Sequence, residues 1–299
     1  MRQTCLKMIY ELAKQDPRVV FVGSDLGTGT LEQFKTEMPE RYFMEGVSEQ
    51  SIVGMAAGLA LEGKIVYFNT IATFITRRCF DQVAVDLCLH NLPVRLIGSG
   101  GGLVYAPLGP THLATEDIAI MRALPNMTVV APADANEMRR FMLRSLNHPG
   151  PIYIRLGKGG DPIVTPDDQP FAIGRAYRLR EGKDVLILTT GICATVALDA
   201  VPQATVVHVP TIKPLDTETI LTEAAKARVV VTIEEGTLSG GFGSAIAELL
   251  LEAGLTPRFR RLGIPDVFPD QYGSQASLME RYGLTPACVA ATVQQLQRN

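Results

Sequence analysis

The feature that most constrains this chain is a recurring apolar run with no alternation inside it. VVFVGSD (19–25), KIVYFN (64–69), VRLIGS (94–99), MTVVAP (127–132) and IYIRLG (152–157) all read this way. A strand with one wet face alternates apolar and polar residues, whereas a parallel strand covered on both faces is continuously apolar. Segments of helical period separate the runs. They lie at 1–15, with Cys5, Met8, Ile9, Leu12 and Ala13 on one face, then at 48–61, 73–90, 115–123 and 135–146. Strand and helix therefore alternate, and the first half is expected to be a doubly wound α/β sheet. Residues 158–176 are rich in Gly, Pro and Asp without a strong period, the texture of a linker or an edge excursion. A second alternation follows: DVLILTTG (184–191), a helix to about 201, TVVHVP (205–210), RVVVTIEE (228–235), a helix from about 241, RFRRLGIP (258–265) and a terminal helix from about 286. Two doubly wound α/β domains are expected, at 1–165 and 183–299, with 166–182 as the linker.

Composition narrows the class. A chain of 299 residues buries roughly 75% of its unfolded surface and holds a core without disulfides or metal. The net charge is −3 and the cations are scattered, unlike the basic stripe of a nucleic-acid binder. Five cysteines (Cys5, Cys79, Cys88, Cys193, Cys288) stand far apart with no C-x-x-C pair, the usage of a reduced, cytoplasmic protein without a zinc site. No stretch approaches the ~18 apolar residues of a membrane span, and the N-terminus is no signal peptide.

Three segments could carry chemistry. In MEGVSEQSIVGMAAGLALEG (44–63), Ser48 is placed to cap a helix and Glu49 sits in its first turn, followed by a small-residue face of Gly54, Ala56, Ala57, Gly58 and Ala60. An acid entering so apolar a helix is either a dipole-stabilised residue of an ordinary packed helix or a buried acid able to share a proton with a ligand nitrogen. In ATFITRRCFDQVAVD (72–86), Phe74 stands near a strand-to-helix turn ahead of Arg77 and Arg78; core packing and a solvated helix start are the plain alternatives. SGGGLVYAPLGPTHLATED (99–117) puts a Gly-rich loop after a strand, with His112 at its end and Thr115 as a helix cap. The GGG run matches neither a Walker loop nor G-x-G-x-x-G, and the lone His112 is equally open to a structural or a catalytic role. Arg155 and Lys158 close a strand and would meet an anion or form a surface pair. No metal-ligand spacing appears.

Taken in order, these segments resemble the transketolase family of thiamine-diphosphate enzymes over essentially the whole chain. The resemblance is carried by EGVSEQSIVGMAAGLAL, the T-F turn, DQV, the G-P-T-H loop, LPNMTVVAPAD, the strand ending IRLGKG, then ILTTG and EEGTLSGGFGSAIAE. It implies a pyrimidine-binding fold followed by the family's C-terminal domain. It also implies roles: Glu49 bonds the cofactor's aminopyrimidine, Phe74 stacks on that ring, and His112 lies near the reacting carbonyl. Asp25 and Ile71 border the cofactor. Arg77, Arg155 and Lys158 are implied on the substrate side. Leu108 stands where relatives often carry an acid, and Gly100 and Gly101 where some carry a phosphate-binding His or Arg. With Lys rather than Arg at 158, bidentate anion recognition is lost.

The family's G-D-G…N segment for the diphosphate and metal finds no match in these residues. The resemblance therefore implies the smaller subunit of a split transketolase, moving a two-carbon ketol unit between sugars. The partner would be the N-terminal transketolase subunit, which would hold Mg2+ or Ca2+ and the diphosphate, in an α2β2 heterotetramer with a contact between the two smaller subunits. The alternatives are the beta subunit of a 2-oxoacid dehydrogenase component and a 1-deoxyxylulose-5-phosphate synthase-like enzyme.

Overall fold

The computed structural model describes residues 1–24 and 28–298. Asp25 lies outside them. Twelve strands form two sheets among these residues: β1 (Val19–Gly23), β2 (Tyr42–Met44), β3 (Ile65–Ile71), β4 (Val94–Ser99), β5 (Thr128–Val130), β6 (Ile152–Leu156), β7 (Tyr177–Arg180), β8 (Val185–Thr189), β9 (Thr205–His208), β10 (Thr211–Lys213), β11 (Val229–Thr237) and β12 (Arg258–Ile264). The first sheet has the order β10-β5-β6-β4-β3-β1-β2 and the second β12-β11-β8-β9-β7. All pairings are parallel except β10 on β5 and β7 on β9.

The continuous apolar runs became the central strands. β1, β4, β6 and β8 are buried at every position, which is why their sequences show no alternation. The strands that the pattern did not reveal are short or at edges. Residues 166–182 are not wholly linker, because Tyr177–Arg180 forms an edge strand with partly exposed side chains. β10 leaves the second half of the chain to close the edge of the first sheet. Both were hidden because three or four residues do not establish a period.

Helices cover both faces of the first sheet. Arg2–Gln15 buries Cys5, Leu6, Ile9, Tyr10, Leu12 and Ala13, and with Met138, Phe141 and Met142 of Ala135–Ser145 it builds one core layer. The other layer, under Glu49–Leu61, runs without a break into the second domain, joining Val66, Phe68 and Leu96 to Leu186, Val207 and Phe242. Each such side chain contributes about 1.5–3 kcal/mol when fully buried. A third cluster lies on the second sheet and takes in Leu103, Ala106 and Leu113 from the first domain.

Three local expectations are corrected. Ser48 stands at the N-cap as expected, but its side chain makes no capping hydrogen bond; its hydroxyl donates to the Glu45 carbonyl at 3.0 Å. Thr115 is not a cap, since Asp117–Ala123 starts two residues later and the Thr115 hydroxyl donates to Glu116 Oε2. The stretch 73–90 is not one regular helix. It contains wide π turns at Phe74–Arg78 and Val83–Cys88 on either side of Phe80–Gln82. Such turns concentrate at functional sites because the extra residue re-aims side chains. No described helix is long and apolar enough to cross a membrane.

Candidate active site

Chain order places the site. After β1 the chain pairs β2 on one side and then, through Glu49–Leu61, β3 on the other. Open parallel sheets bind ligands outside the carboxyl ends of strands at such a switch point. Glu49 enters the crevice there, only 2% exposed. A hydroxyl relay reaches it across the two strands: Ser24 Oγ donates to Thr70 Oγ1 at 2.9 Å, and Thr70 Oγ1 donates to Glu49 Oε1 at 3.2 Å. The other oxygen, Oε2, accepts from Arg78 Nη1 at 2.6 Å.

Arg78 also lies over the Phe74 ring, its Cζ 4.2 Å from the centroid. Phe74 also meets His112, edge-on with ring centroids 5.3 Å apart. Glu49, Phe74 and His112, far apart in sequence, are therefore drawn together. His112 Nδ1 lies 2.9 Å from Thr111 Oγ1, and Nε2 has no hydrogen-bond partner among the described residues. The arrangement is a half-buried aromatic face with a buried carboxylate at its edge. Arg78 shows what fits: a planar group that stacks on Phe74 while donating an N–H to Glu49. Ile71 ends β3 beside this crevice, half-buried.

The cations divide. Neighbours in sequence, Arg77 and Arg78 are sent by the π turn to different acids. Arg77 forms a two-pronged pair with Glu116, Nη2 to Oε2 at 2.8 Å, and its guanidinium faces Phe268 of the second domain. Lys158 is exposed beyond β6. Arg155 is corrected: it is neither a surface residue nor free to meet a substrate anion. It is 7% exposed, with Nε 3.0 Å from Asp117 Oδ2 and Nη2 donating to the carbonyls of Glu235 and Ala114 at 2.5 and 3.4 Å. Tyr153 Oη donates to the same Asp117 oxygen at 2.6 Å.

The triple glycine serves this network rather than a phosphate. The N–H groups of Gly100 and Gly101 donate to Leu156 O and that of Gly102 to Ala114 O, so none remains to cradle an anion. A Cβ at Gly101 would strike Arg155, and one at Gly102 would stand 2.6 Å from Glu235. Glu116, Asp117, Arg78 and Glu235 were missed as partners in the sequence because each contact joins segments dozens of residues apart. Among the described residues no cluster of His, Cys, Asp or Glu could hold a metal ion.

Burial pushes both Glu234 and Glu235 up to about 7, against the pull of Arg155. A carboxyl raised in this way holds its proton more tightly when folded. Its stabilising contribution is complete below the ordinary value of 4.5 and is lost as pH rises through about 7. Urea unfolding between about pH 4.5 and 8 should show a falling limb that Glu235→Gln makes shallower, with Glu234 supplying the remainder. A limb unchanged in that variant would place the titration elsewhere.

Similarity to known proteins follows the same division of the chain. Residues 1–160 match the transketolase pyrimidine binding domain and residues 174–289 the transketolase C-terminal domain. A 1-deoxy-D-xylulose-5-phosphate synthase of Symbiobacterium thermophilum is 41% identical over 296 residues, 96% of this chain but 45% of that protein. The chain thus spans about half the length of the synthases it matches. A 6-deoxy-6-sulfo-D-fructose transketolase subunit, SqwH, of a Clostridium species is 38% identical over 95% of this chain and 90% of its own. A solved split-gene transketolase, an inactive beta4 tetramer, superposes with a TM-score of 0.91 at 38% identity, covering 99% of this chain and 97% of that one. With both domains in order along one chain and relatives of this identity over nearly all of it, the chain belongs to the transketolase family.

Proposed function

We propose that this chain is the smaller subunit of a split transketolase, which transfers a two-carbon ketol unit from a ketose donor to an aldose acceptor. The observation that carries the reading is the buried Glu49 carboxylate, held by the Arg78 that lies over Phe74, with the His112 ring packed edge-on against the same Phe74 ring. Thiamine diphosphate, when bound, supplies the carbanion chemistry. Glu49 would hold a proton at its carboxylate toward the aminopyrimidine, Phe74 would carry the ring, and Ile71 and Asp25 would border it. Arg78, which lies over the Phe74 ring, would have to give way for the pyrimidine to stack there. His112 would donate or move a proton at the substrate carbonyl through its unengaged Nε2. Arg77 and Lys158 are the cations left near the substrate end, and Arg77 is already matched by Glu116.

The diphosphate and its Mg2+ or Ca2+ would be held by a second polypeptide in an α2β2 assembly. The split-gene transketolase and the SqwH subunit, matched over nearly their full lengths, support this. The contact between two smaller subunits has its own support in the outer face of Glu49–Leu61 and its neighbouring helical stretch. Gly54 and Gly58 are open there, and Val47, Leu61, Val85 and Leu89 are each at least 47% exposed, a surface suited to close contact between two smaller subunits.

Calorimetry should show little thiamine-diphosphate binding to the chain alone and tight binding once the partner polypeptide is added; tight binding alone would overturn the shared site. In the assembled enzyme, His112→Ala should lower turnover about 10²–10⁴-fold with little change in cofactor affinity. An unchanged rate would return His112 to a packing role. The 41% identity to the synthase supports a second reading, a 1-deoxyxylulose-5-phosphate synthase-like enzyme. Product analysis with ketose and with 2-oxoacid donors separates the two.

A further inference from the structure

We propose that Glu235, in the second domain, is a positioning residue that fixes the loop carrying His112. This rests on the role given above to His112, but its first test does not depend on that role.

The loop between β4 and the helix Asp117–Ala123 closes on itself. Gly102 and Ala114 exchange both backbone hydrogen bonds, at 2.9 and 3.1 Å, so residues 103–113 form an excursion with a two-residue neck. Just inside the neck, the Leu103 N–H donates to Glu235 Oε1 at 2.8 Å. The same oxygen accepts from Gln275 Nε2, also at 2.8 Å, so the acceptor is held from its own domain. Arg155 completes the clasp, donating to the carbonyls of both Ala114 and Glu235. The glycine at 102 is what allows Glu235 so close, at a φ of +66° that suits only glycine well.

The body of the loop is rooted in the same domain. Leu103, Ala106 and Leu113 are all fully buried in the cluster that contains Val185, Ile187, Ile264 and Leu278. Its tip is touched as well, since a Cβ at Gly109 would stand 2.8 Å from the Tyr272 ring. His112 therefore belongs to the first domain by sequence and to the second by packing. The second domain sets where His112 stands relative to Glu49 and Phe74, with the Glu235 bond to Leu103 as the polar pin. Leaving that buried N–H without an acceptor releases the neck.

Amide hydrogen exchange on the full chain tests this directly. Glu235→Ala should speed exchange across 103–113 by roughly 10- to 100-fold while the helix Glu49–Leu61 keeps its protection. Glu235→Gln, which retains an acceptor, should restore most of the protection. Should the alanine variant not fold, Glu235→Asp serves, since its shorter side chain withdraws the acceptor from Leu103. Unchanged loop exchange in the folded variant would overturn the proposal. In the assembled enzyme, Glu235→Ala should lower turnover about tenfold without changing cofactor affinity, and should add nothing to His112→Ala. Additive losses would show that Glu235 does not act through His112. An assembled wild type without ketol transfer would count against the proposed function, while the exchange result would still decide the role of Glu235.

Discussion

Glu49→Gln is expected to cut ketol transfer by the assembled enzyme about 10²–10⁴-fold with no loss of fold. Glutamine preserves the shape of the side chain and still offers an oxygen to Thr70. What it removes is the charge and the ability to hold a proton, in a position only 2% exposed where water cannot substitute. Arg78 is left without its carboxylate, but its side chain is 41% exposed and can be solvated, so stability should change little. Steady-state kinetics alongside thermal unfolding would separate the two effects. Turnover within tenfold of wild type, on a folded variant, would remove Glu49 from the chemistry.

Arg155→Met should be the most damaging single change to stability, at about 3–5 kcal/mol. Asp117 is fully buried, and burial pushes its carboxyl up while Arg155 is the charge that holds it back. Removing the guanidinium strands that carboxyl, and the carbonyls of Ala114 and Glu235 each lose a donor. The buried pair itself is weak support for the fold, because well-packed apolar residues of similar volume serve as well. The double variant Asp117→Leu with Arg155→Met should therefore recover part of the loss. Urea unfolding would measure both, and a single-variant cost below about 1 kcal/mol would show that the pair is not held in the interior as described.

Much of the architecture was legible in the chain. The segment Val94–Ser99 matches its apolar run residue for residue, and the other buried strands differ by one or two positions at their ends. Strands covered on both faces leave no choice of register to polar residues, so the signal is strong. Edge strands carry no such signal, which is why Tyr177–Arg180 passed for linker and Thr211–Lys213 was not seen. Of the candidate site, Glu49, Phe74 and His112 were singled out from the sequence, and the structure brings them into one neighbourhood. The charge pairings were not legible, because Arg78 on Glu49, Glu116 on Arg77 and Asp117 on Arg155 depend on directions set by a π turn and a helix start that local propensity does not specify.

Arg155 marks the boundary most clearly. As sequence it is a cation at the end of a strand, placed for a surface pair first and for an anion second. Its fate depends on Asp117 and Ala114, brought to it by the fold of the first domain, and on Glu235, which reaches it only after the two sheets have packed. The sequence by itself determined two α/β layers and the segments that meet at the carboxyl edge of the first sheet, because continuous apolar runs and helical periods are local properties. Only the tertiary structure decided which charges are neutralised, which glycines make room, and that the second domain holds His112. Those outcomes rest on desolvation and steric fit between distant segments, and neither is written in any one of them.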